Sequence, residues 1–269
     1  MVMTKDTMGE AEFNKVRSQM YERAISQYPL ARAMDISAMH GHLSPKKGEK
    51  ILGVGEGNGY FCQPILDAVG EHGVYVVTEP SQFQLDNLKN RISLSQLEVI
   101  TSGAEAIPIK ENYFDKVWSF GAFHHCPDQT EAMKRMYQSL RPGGEIVICD
   151  VFQGSKLAEH FDTQVARYCN MGHEVKFLSD AFARSLCYLG GFKDENVRVE
   201  ELPQKWVFDS EKDLGKFMYD LHAMILLPGD ETQQVQSTLQ GCKDILGVTK
   251  NTSGQYELNW PMKVLKATK

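Results

Sequence analysis

Apolar positions along the chain follow two periods. Over residues 9–42 they recur every three or four positions, with Phe13, Val16, Met20, Tyr21, Ala24 and Ile25 on one side, the stripe of an amphipathic helix. Ser44-Pro45 and Gly48 interrupt it. Short apolar runs then alternate with helical stretches. Strands are predicted over 50–54, 74–78, 97–101, 116–120 and 145–151, and helices over 61–69, 81–92 and 128–140. Arg141-Pro142-Gly143-Gly144 stops the last of these helices, because proline and two glycines cannot continue it. Strands alternating with helices pair in parallel, so the fold class is α/β with a doubly wound, mostly parallel sheet.

Beyond 151 the alternation loosens. Helices fit 154–169, 178–189, 210–227 and 231–246, and strands fit 197–202 and 256–267. The whole chain, 1–269, reads as one domain with no internal repeat. Residues 1–45 are expected to form a helical lid, 46–151 a ligand-binding core, and 152–269 a substrate-side half with a helical insertion at about 209–250.

Composition narrows the partners. Charged residues make up 24% and apolar residues 42% of the 269, as in ordinary globular proteins. The net charge of −6 argues against nucleic-acid and membrane-surface partners, which favour a basic face. No apolar run approaches the roughly 20 residues of a membrane span, and the first residues hold no apolar signal core. Six scattered cysteines without a CxxC pair read as reduced thiols of a cytoplasmic protein. Cys169 and His173 have no second Cys/His pair beside them, so no metal is expected.

The first strand-to-helix turn concentrates the chemistry. It reads Gly53-Val54-Gly55-Glu56-Gly57-Asn58-Gly59, and glycines there let the backbone approach a ligand at a helix start. The dinucleotide fingerprint G-x-G-x-x-G fails in every frame, with Asn58, Tyr60 or Cys62 where its third glycine belongs. No Gly-Lys-Ser/Thr follows, so it is not a P-loop. G-x-G-x-G remains, with Glu79 ending the second strand, where a carboxylate can accept both hydroxyls of a ribose.

With these residues in place, 50–150 resembles a class I S-adenosylmethionine (SAM)-dependent methyltransferase, of the branch that includes the ubiquinone and menaquinone C-methyltransferases. The resemblance rests on the glycine turn, on Glu79-Pro80-Ser81, on Ala104-Glu105-Ala106-Ile107-Pro108-Ile109, and on Phe114-Asp115 through His124-His125 to Gly144. It implies SAM as cofactor and a seven-stranded sheet with a reversed last strand. It also implies a ligand wall made by Gly53, Gly55, Glu56, Gly57 and Gly59. Glu79 and Pro80 would lie at the ribose, Gly103, Ala104 and Glu105 at the adenine, and Ser119 and Phe120 beside the sulfonium. Two positions depart from the pattern: the family usually has Asp where Gly53 stands, and often where Gly103 stands. Losing a charge-assisted hydrogen bond costs about 1.5–3 kcal/mol, so the resemblance implies weakened cofactor binding unless Glu56 and Glu105 compensate.

His124 and His125 follow the fourth strand, where an open α/β sheet has its ligand crevice. Either is placed to act as general base, or to serve structurally ahead of the helix near Asp128. Tyr168, Cys169, His173 and Glu174 suggest a substrate-pocket loop. Met218, Tyr219, His222, Met224 and Ile225 recur at helical spacing and suggest core. A lid of N-terminal and inserted helices would exclude water. The function expected is methyl transfer to a small-molecule acceptor of apolar or aromatic character. The alternatives are a SAM-fold protein that does not methylate and an RNA- or protein-directed methyltransferase.

Overall fold

The structure is a computed structural model that describes residues 13–92, 97–108 and 110–269. Residues 9–12 of the first predicted helix, and Ile109, lie outside the described residues. Asn14 caps α1 (Lys15–Gln27) by accepting from the Arg17 N–H at 3.0 Å. The helix predicted to run on to residue 42 stops at Tyr28, because Pro29 follows. A residue before proline is driven out of the α region, and Tyr28 sits at φ −126°, ψ 60°. Helix α2 (Ala33–His42) restarts beyond the turn.

The alternating core follows: β1 (Lys50–Val54), α3 (Cys62–Val69), β2 (Val74–Thr78), α4 (Gln82–Arg91), β3 (Leu97–Ile100), β4 (Phe114–Phe120), α5 (Gln129–Ser139) and β5 (Leu140–Asp150). Next, α6 (Lys156–His160) passes through a π turn, Phe161–Val165, into α7 (Ala166–Tyr168). Then come α8 (Asp180–Gly190), β6 (Val197–Phe208), α9 (Glu211–His222), α10 (Glu231–Ile245), β7 (Val248–Lys250) and β8 (Tyr256–Thr268).

Strand order is β3-β2-β1-β4-β5-β8-β6. The first five strands pair in parallel, and β8 runs antiparallel between β5 and β6. The reversed last strand and the helices interposed before it, α9 and α10, were expected. An eighth strand, β7, adds to the seven expected by pairing with β8, and at three residues it is too short to show a period. Strand β6 runs six residues past its predicted end at 202. Pro203 lies in this extension, and β6 is the outer strand of the sheet, where a missing N–H costs no ladder bond. Its partner Pro261 sits where β8 has left β5 and not yet met β7.

Neighbouring strand residues serve opposite faces. Ile51, Tyr75, Trp118 and Val147 enter one apolar cluster, and Leu52, Val76, Val117 and Ile146 the other. Helices α5 and α8 cover the second face, and α1 to α4, α6 and α9 supply the first. Burial on both faces is why these strands read as continuous apolar runs. Among the described residues no helix is long and apolar enough to cross a membrane.

Candidate functional site

A cavity of about 600 Å³ opens at the C-terminal ends of β1, β2 and β4, the crevice where doubly wound sheets take ligands. The glycine turn forms its floor. Gly55 (φ +71°) and Gly57 (φ +58°) hold the left-handed backbone that glycine alone adopts freely. A Cβ on Gly57 would meet no protein atom within 4 Å, and neither would one on Gly121 across the cavity. These two glycines leave open the space that a ligand needs.

Glu79 is buried at the end of β2. Its Oε2 accepts from the Gly57 N–H and its Oε1 from the Ser81 N–H, each at 2.9 Å. Both oxygens are thereby aimed, and each keeps a lone pair for a further donor. Burial pushes the Glu79 carboxyl up to about 7, against the pull of those two N–H groups.

The two glycine departures have local explanations. At Gly53 a Cβ would run into the Tyr75 hydroxyl and stand 2.7 Å from Glu56 Oε1. The Tyr75 hydroxyl donates to Glu56 at 2.5 Å, and the Cys62 thiol lies 3.7 Å from the other oxygen. Burial raises the Glu56 carboxyl to about 7, although the Tyr75 and Cys62 bonds act to lower it. At Gly103 a Cβ would stand 2.8 Å from Glu105 Oε1 and 3.0 Å from Oε2. Each glycine therefore makes room for the carboxylate of a glutamate two or three residues onward. Among the described residues Glu105 Oε2 and Ser102 Oγ are buried without a hydrogen-bond partner, and both residues line the cavity.

Gly55, Glu56, Gly57, Glu79, Pro80, Gly103, Ala104, Glu105, Phe120 and His125 all line the cavity. Gly53, Gly59, Ser119 and His124 are not among the lining residues, which for Gly53 and Gly59 differs from the expected wall. Gly53 lies within β1 behind Glu56, and Gly59 packs over Leu88. Ser119 alternates to the far face from Phe120 and is fully buried. His124 turns away to Asp150, its Nδ1 lying 2.5 Å from Oδ1.

Sequence reasoning missed several groups. Arg32 enters the cavity wall from the turn before α2. Burial opposes its charge, but Tyr21, Asp35 and Tyr60 hold the guanidinium protonated. Arg32 Nε donates to Asp35 at 2.6 Å and its terminal nitrogen to the Tyr21 hydroxyl at 2.9 Å. Its guanidinium lies over the Tyr60 ring at 4.8 Å. With Phe13 and Tyr21 it brings the N-terminal segment to the cavity. Nothing local in the sequence distinguishes Arg32 from a surface arginine.

Asp150, at the end of β5, was also missed. Its Oδ2 accepts from the His124 N–H at 3.0 Å and its Oδ1 from the Val151 N–H at 2.7 Å. His173 comes in from the loop between α7 and α8, so that one ring nitrogen from each of His124, His125 and His173 lies within 4.8 Å of the other two. Burial, then the two neighbouring imidazoles, pushes His173 well below its ordinary pKa. Behind it, Phe161 stacks on His173 with centroids 4.8 Å apart, and His222 stacks on Trp260 at 6.0 Å. Of the other expected loop residues, Cys169 is buried, donating to the Gly172 carbonyl at 2.7 Å, and Glu174 is exposed. Met218, Tyr219, His222 and Met224 are core as expected, whereas Ile225 stands partly exposed at 36%.

The inserted helices supply no cavity-lining residue. Helix α9 instead braces α1, since buried Asp220 takes both Arg23 and Lys216.

Residues 52–148 match a family model described as a methyltransferase domain. A tRNA U34 carboxymethyltransferase of Syntrophotalea carbinolica is 32% identical over 108 residues, 40% of this chain and 33% of that protein. A ubiquinone/menaquinone biosynthesis C-methyltransferase UbiE of Haemophilus ducreyi is 32% identical over 110 residues, 39% of this chain and 42% of that protein. The matched stretch thus spans well under half the length of these relatives. Among solved structures, a phosphoethanolamine N-methyltransferase 2 of Haemonchus contortus, bound to phosphomonomethylethanolamine and S-adenosylhomocysteine, superposes with a TM-score of 0.69. It does so at 15% identity, over 100% of this chain and 60% of that one. The YcgJ protein of Bacillus subtilis superposes with a TM-score of 0.59 at 13% identity, over 89% and 97% of the two chains.

Proposed function

We propose that this chain, which belongs to the class I SAM-dependent methyltransferase superfamily, transfers a methyl group from SAM to a small apolar or aromatic acceptor. The observation that carries the reading is the cavity floor. A glycine cradle and a buried, doubly anchored carboxylate meet there at the end of β2.

The residues present fit the cofactor. Gly57 and Gly121 leave its space clear, and Glu79 keeps acceptor capacity for the two ribose hydroxyls. Glu105 offers an unpartnered carboxylate oxygen for the adenine amine. Glu56 places a second carboxylate on the wall near Gly55, in the role that Gly53 cannot fill. In this reading the missing aspartates are relocated rather than lost.

SAM supplies a methyl group already activated on a sulfonium, so the protein's task is alignment, and positioning alone can lower a barrier by up to about 7–11 kcal/mol. Phe120 lies on the wall where the reacting centre would sit, and Phe13, Tyr21, Tyr60 and Phe61 surround the remaining space. Those rings favour a flat or apolar acceptor and keep water out. His125 lines the cavity and is the imidazole that faces the acceptor, whereas His124 positions its neighbour from behind. We assign the described N-terminal helices, which bring Tyr21 and Arg32 to the cavity, as the lid, and 46–151 as the cofactor core.

A tRNA acceptor is the second reading, favoured by the tRNA-directed relatives. Against it stand the aromatic wall and the net charge of −6. Incubation with methyl-labelled SAM, bulk tRNA and a panel of small phenols, quinols and amines separates the two. Label in the small-molecule fraction supports the proposal. Label in tRNA alone overturns its acceptor class, and binding of S-adenosylhomocysteine with no transfer to any acceptor favours a non-methylating protein.

A further inference from the structure

From the convergence of His124, His125 and His173 beside the cavity, we infer that this chain holds a divalent transition-metal ion of the zinc class on three imidazoles. The inference goes beyond the proposed methyl transfer and does not depend on it.

The three side chains come from two separate parts of the chain: the 3₁₀ turn Phe123–His125 after β4 and the loop before α8. Their ring centroids lie 4.1 Å apart for His124 and His125, 5.1 Å for His125 and His173, and 5.6 Å for His124 and His173. With the nitrogens within 4.8 Å of one another, closing the triad on an ion at about 2.0–2.1 Å moves each nitrogen inward by under about 1 Å. Side-chain rotation supplies a shift of that size.

The surroundings are those of a ligand set. Asp150 fixes His124 from behind, at 2.5 Å from Nδ1. A carboxylate only accepts, so the ring proton lies on Nδ1 and the lone pair on Nε2. Metal-ligating histidines are oriented by a carboxylate in this way. The backbone holds Asp150 in turn, through the His124 and Val151 N–H groups. Phe161 stacks on His173 and Phe177 lies 5.5 Å from His124, which gives the triad an apolar backing.

The donor set selects the ion. Three imidazoles suit zinc, iron(II), cobalt(II) and related ions, whereas magnesium and calcium require oxygen ligands. Three protein ligands leave a coordination position open, and His125 lines the cavity. The open position therefore suits a ligand that offers an oxygen or nitrogen lone pair, such as a phenol, an enol or an amine. An ion there would hold and polarise that atom.

The test uses the full chain, stripped with chelator and reloaded. Zinc titration should give one equivalent per chain, and cobalt(II) should give the visible absorption of a nitrogen-ligated ion. Zinc should also raise the melting temperature, since the ion binds the folded state. His173→Gln and His125→Gln should each lose at least about tenfold in affinity, together with the cobalt spectrum. Asp150→Asn should lose about 10–100-fold, as expected for a carboxylate behind a ligand. His72→Ala, an exposed histidine outside the cluster, should change nothing. Near-ultraviolet circular dichroism identifies any variant that fails to fold, and the two glutamine variants provide independent readings. Wild-type binding no tighter than that of folded His125→Gln or His173→Gln would overturn the inference. So would stoichiometric binding that survives both substitutions together. Titration of the metal-free chain with S-adenosylhomocysteine tests the cofactor reading separately, so failure of one leaves the other standing.

Discussion

The wall that carries Gly55, Gly57 and Glu79 and the wall that carries His125 border the same cavity but are built by opposite means. The first is backbone. Two glycines at positive φ bring the main chain up to the ligand space, and two N–H groups aim a carboxylate that ends the next strand. The second is side chain. His124 and His125 come from the end of β4, Asp150 from the end of β5, and His173 from a loop far along the sequence. A backbone cradle restricts residue type at fixed spacing. A side-chain convergence restricts it only through the folded path of α6 to α8.

The sharpest way to break the backbone wall is Gly55→Val. A Cβ there would stand 2.5 Å from the Ala122 Cβ, at φ +71°. Left-handed strain and overpacking together should cost about 2–5 kcal/mol, read as a lower denaturation midpoint. A variant as stable as wild type would show that the turn is not the tight cradle described.

A smaller effect tests the relocated carboxylates. Gly53 is not at positive φ, so Asp is conformationally allowed there, but its Cβ meets Tyr75 and Glu56. Gly53→Asp should therefore destabilise by about 1–3 kcal/mol and weaken S-adenosylhomocysteine binding, although Asp is the residue the family usually has there. Adding Tyr75→Phe and Glu56→Ala together should recover most of the loss by clearing both obstacles. Tighter binding by the single variant would mean that Glu56 does not occupy the aspartate's role.

The mildest test is pH. Burial raises Glu56 and Glu79 to about 7 from an ordinary 4.5. A carboxyl whose folded pKa is raised contributes stability that is full below about 4.5 and is lost as pH rises through about 7. Ligand-free stability should decline across that window. Ribose hydroxyls donate to the carboxylate form of Glu79, so ligand affinity should move the other way. It should rise by up to about tenfold per pH unit below 7 and level off above. Glu79→Gln should flatten most of that slope, measured by calorimetry at several pH values. An unchanged slope would remove Glu79 from the site.

The contrast between the walls also explains what could be read before the structure. The parallel core follows from apolar runs, and the cavity floor from glycine spacing and an acid at a strand end, whereas the reversed β8 came only with the family resemblance. The first two rest on local signatures. Residues whose roles depend on facing were harder to place. Ser119 and Phe120 are neighbours on β4, and strand alternation puts only Phe120 on the cavity. His124 and His125 are equally adjacent, and Asp150 decides which one turns away. Arg32 and Asp35 form a buried pair beneath Trp206, whose indole N–H lies 3.1 Å from Asp35. That contact joins α2 to β6 and leaves no trace in either segment alone. Pro29 and Pro203 act in opposite ways: the first breaks a helix that the stripe carried through, and the second leaves an outer strand intact.

The account stands most directly on the floor of the cavity, where Glu79 should hold an adenosyl ligand. Calorimetric titration of wild type and Glu79→Ala with S-adenosylhomocysteine, with NAD and ATP as decoys, measures this. The account predicts that wild type binds S-adenosylhomocysteine and neither decoy, and that a folded Glu79→Ala variant loses about 1.5–3 kcal/mol of binding free energy. Binding of NAD in place of S-adenosylhomocysteine, or an affinity untouched by Glu79→Ala, would contradict it.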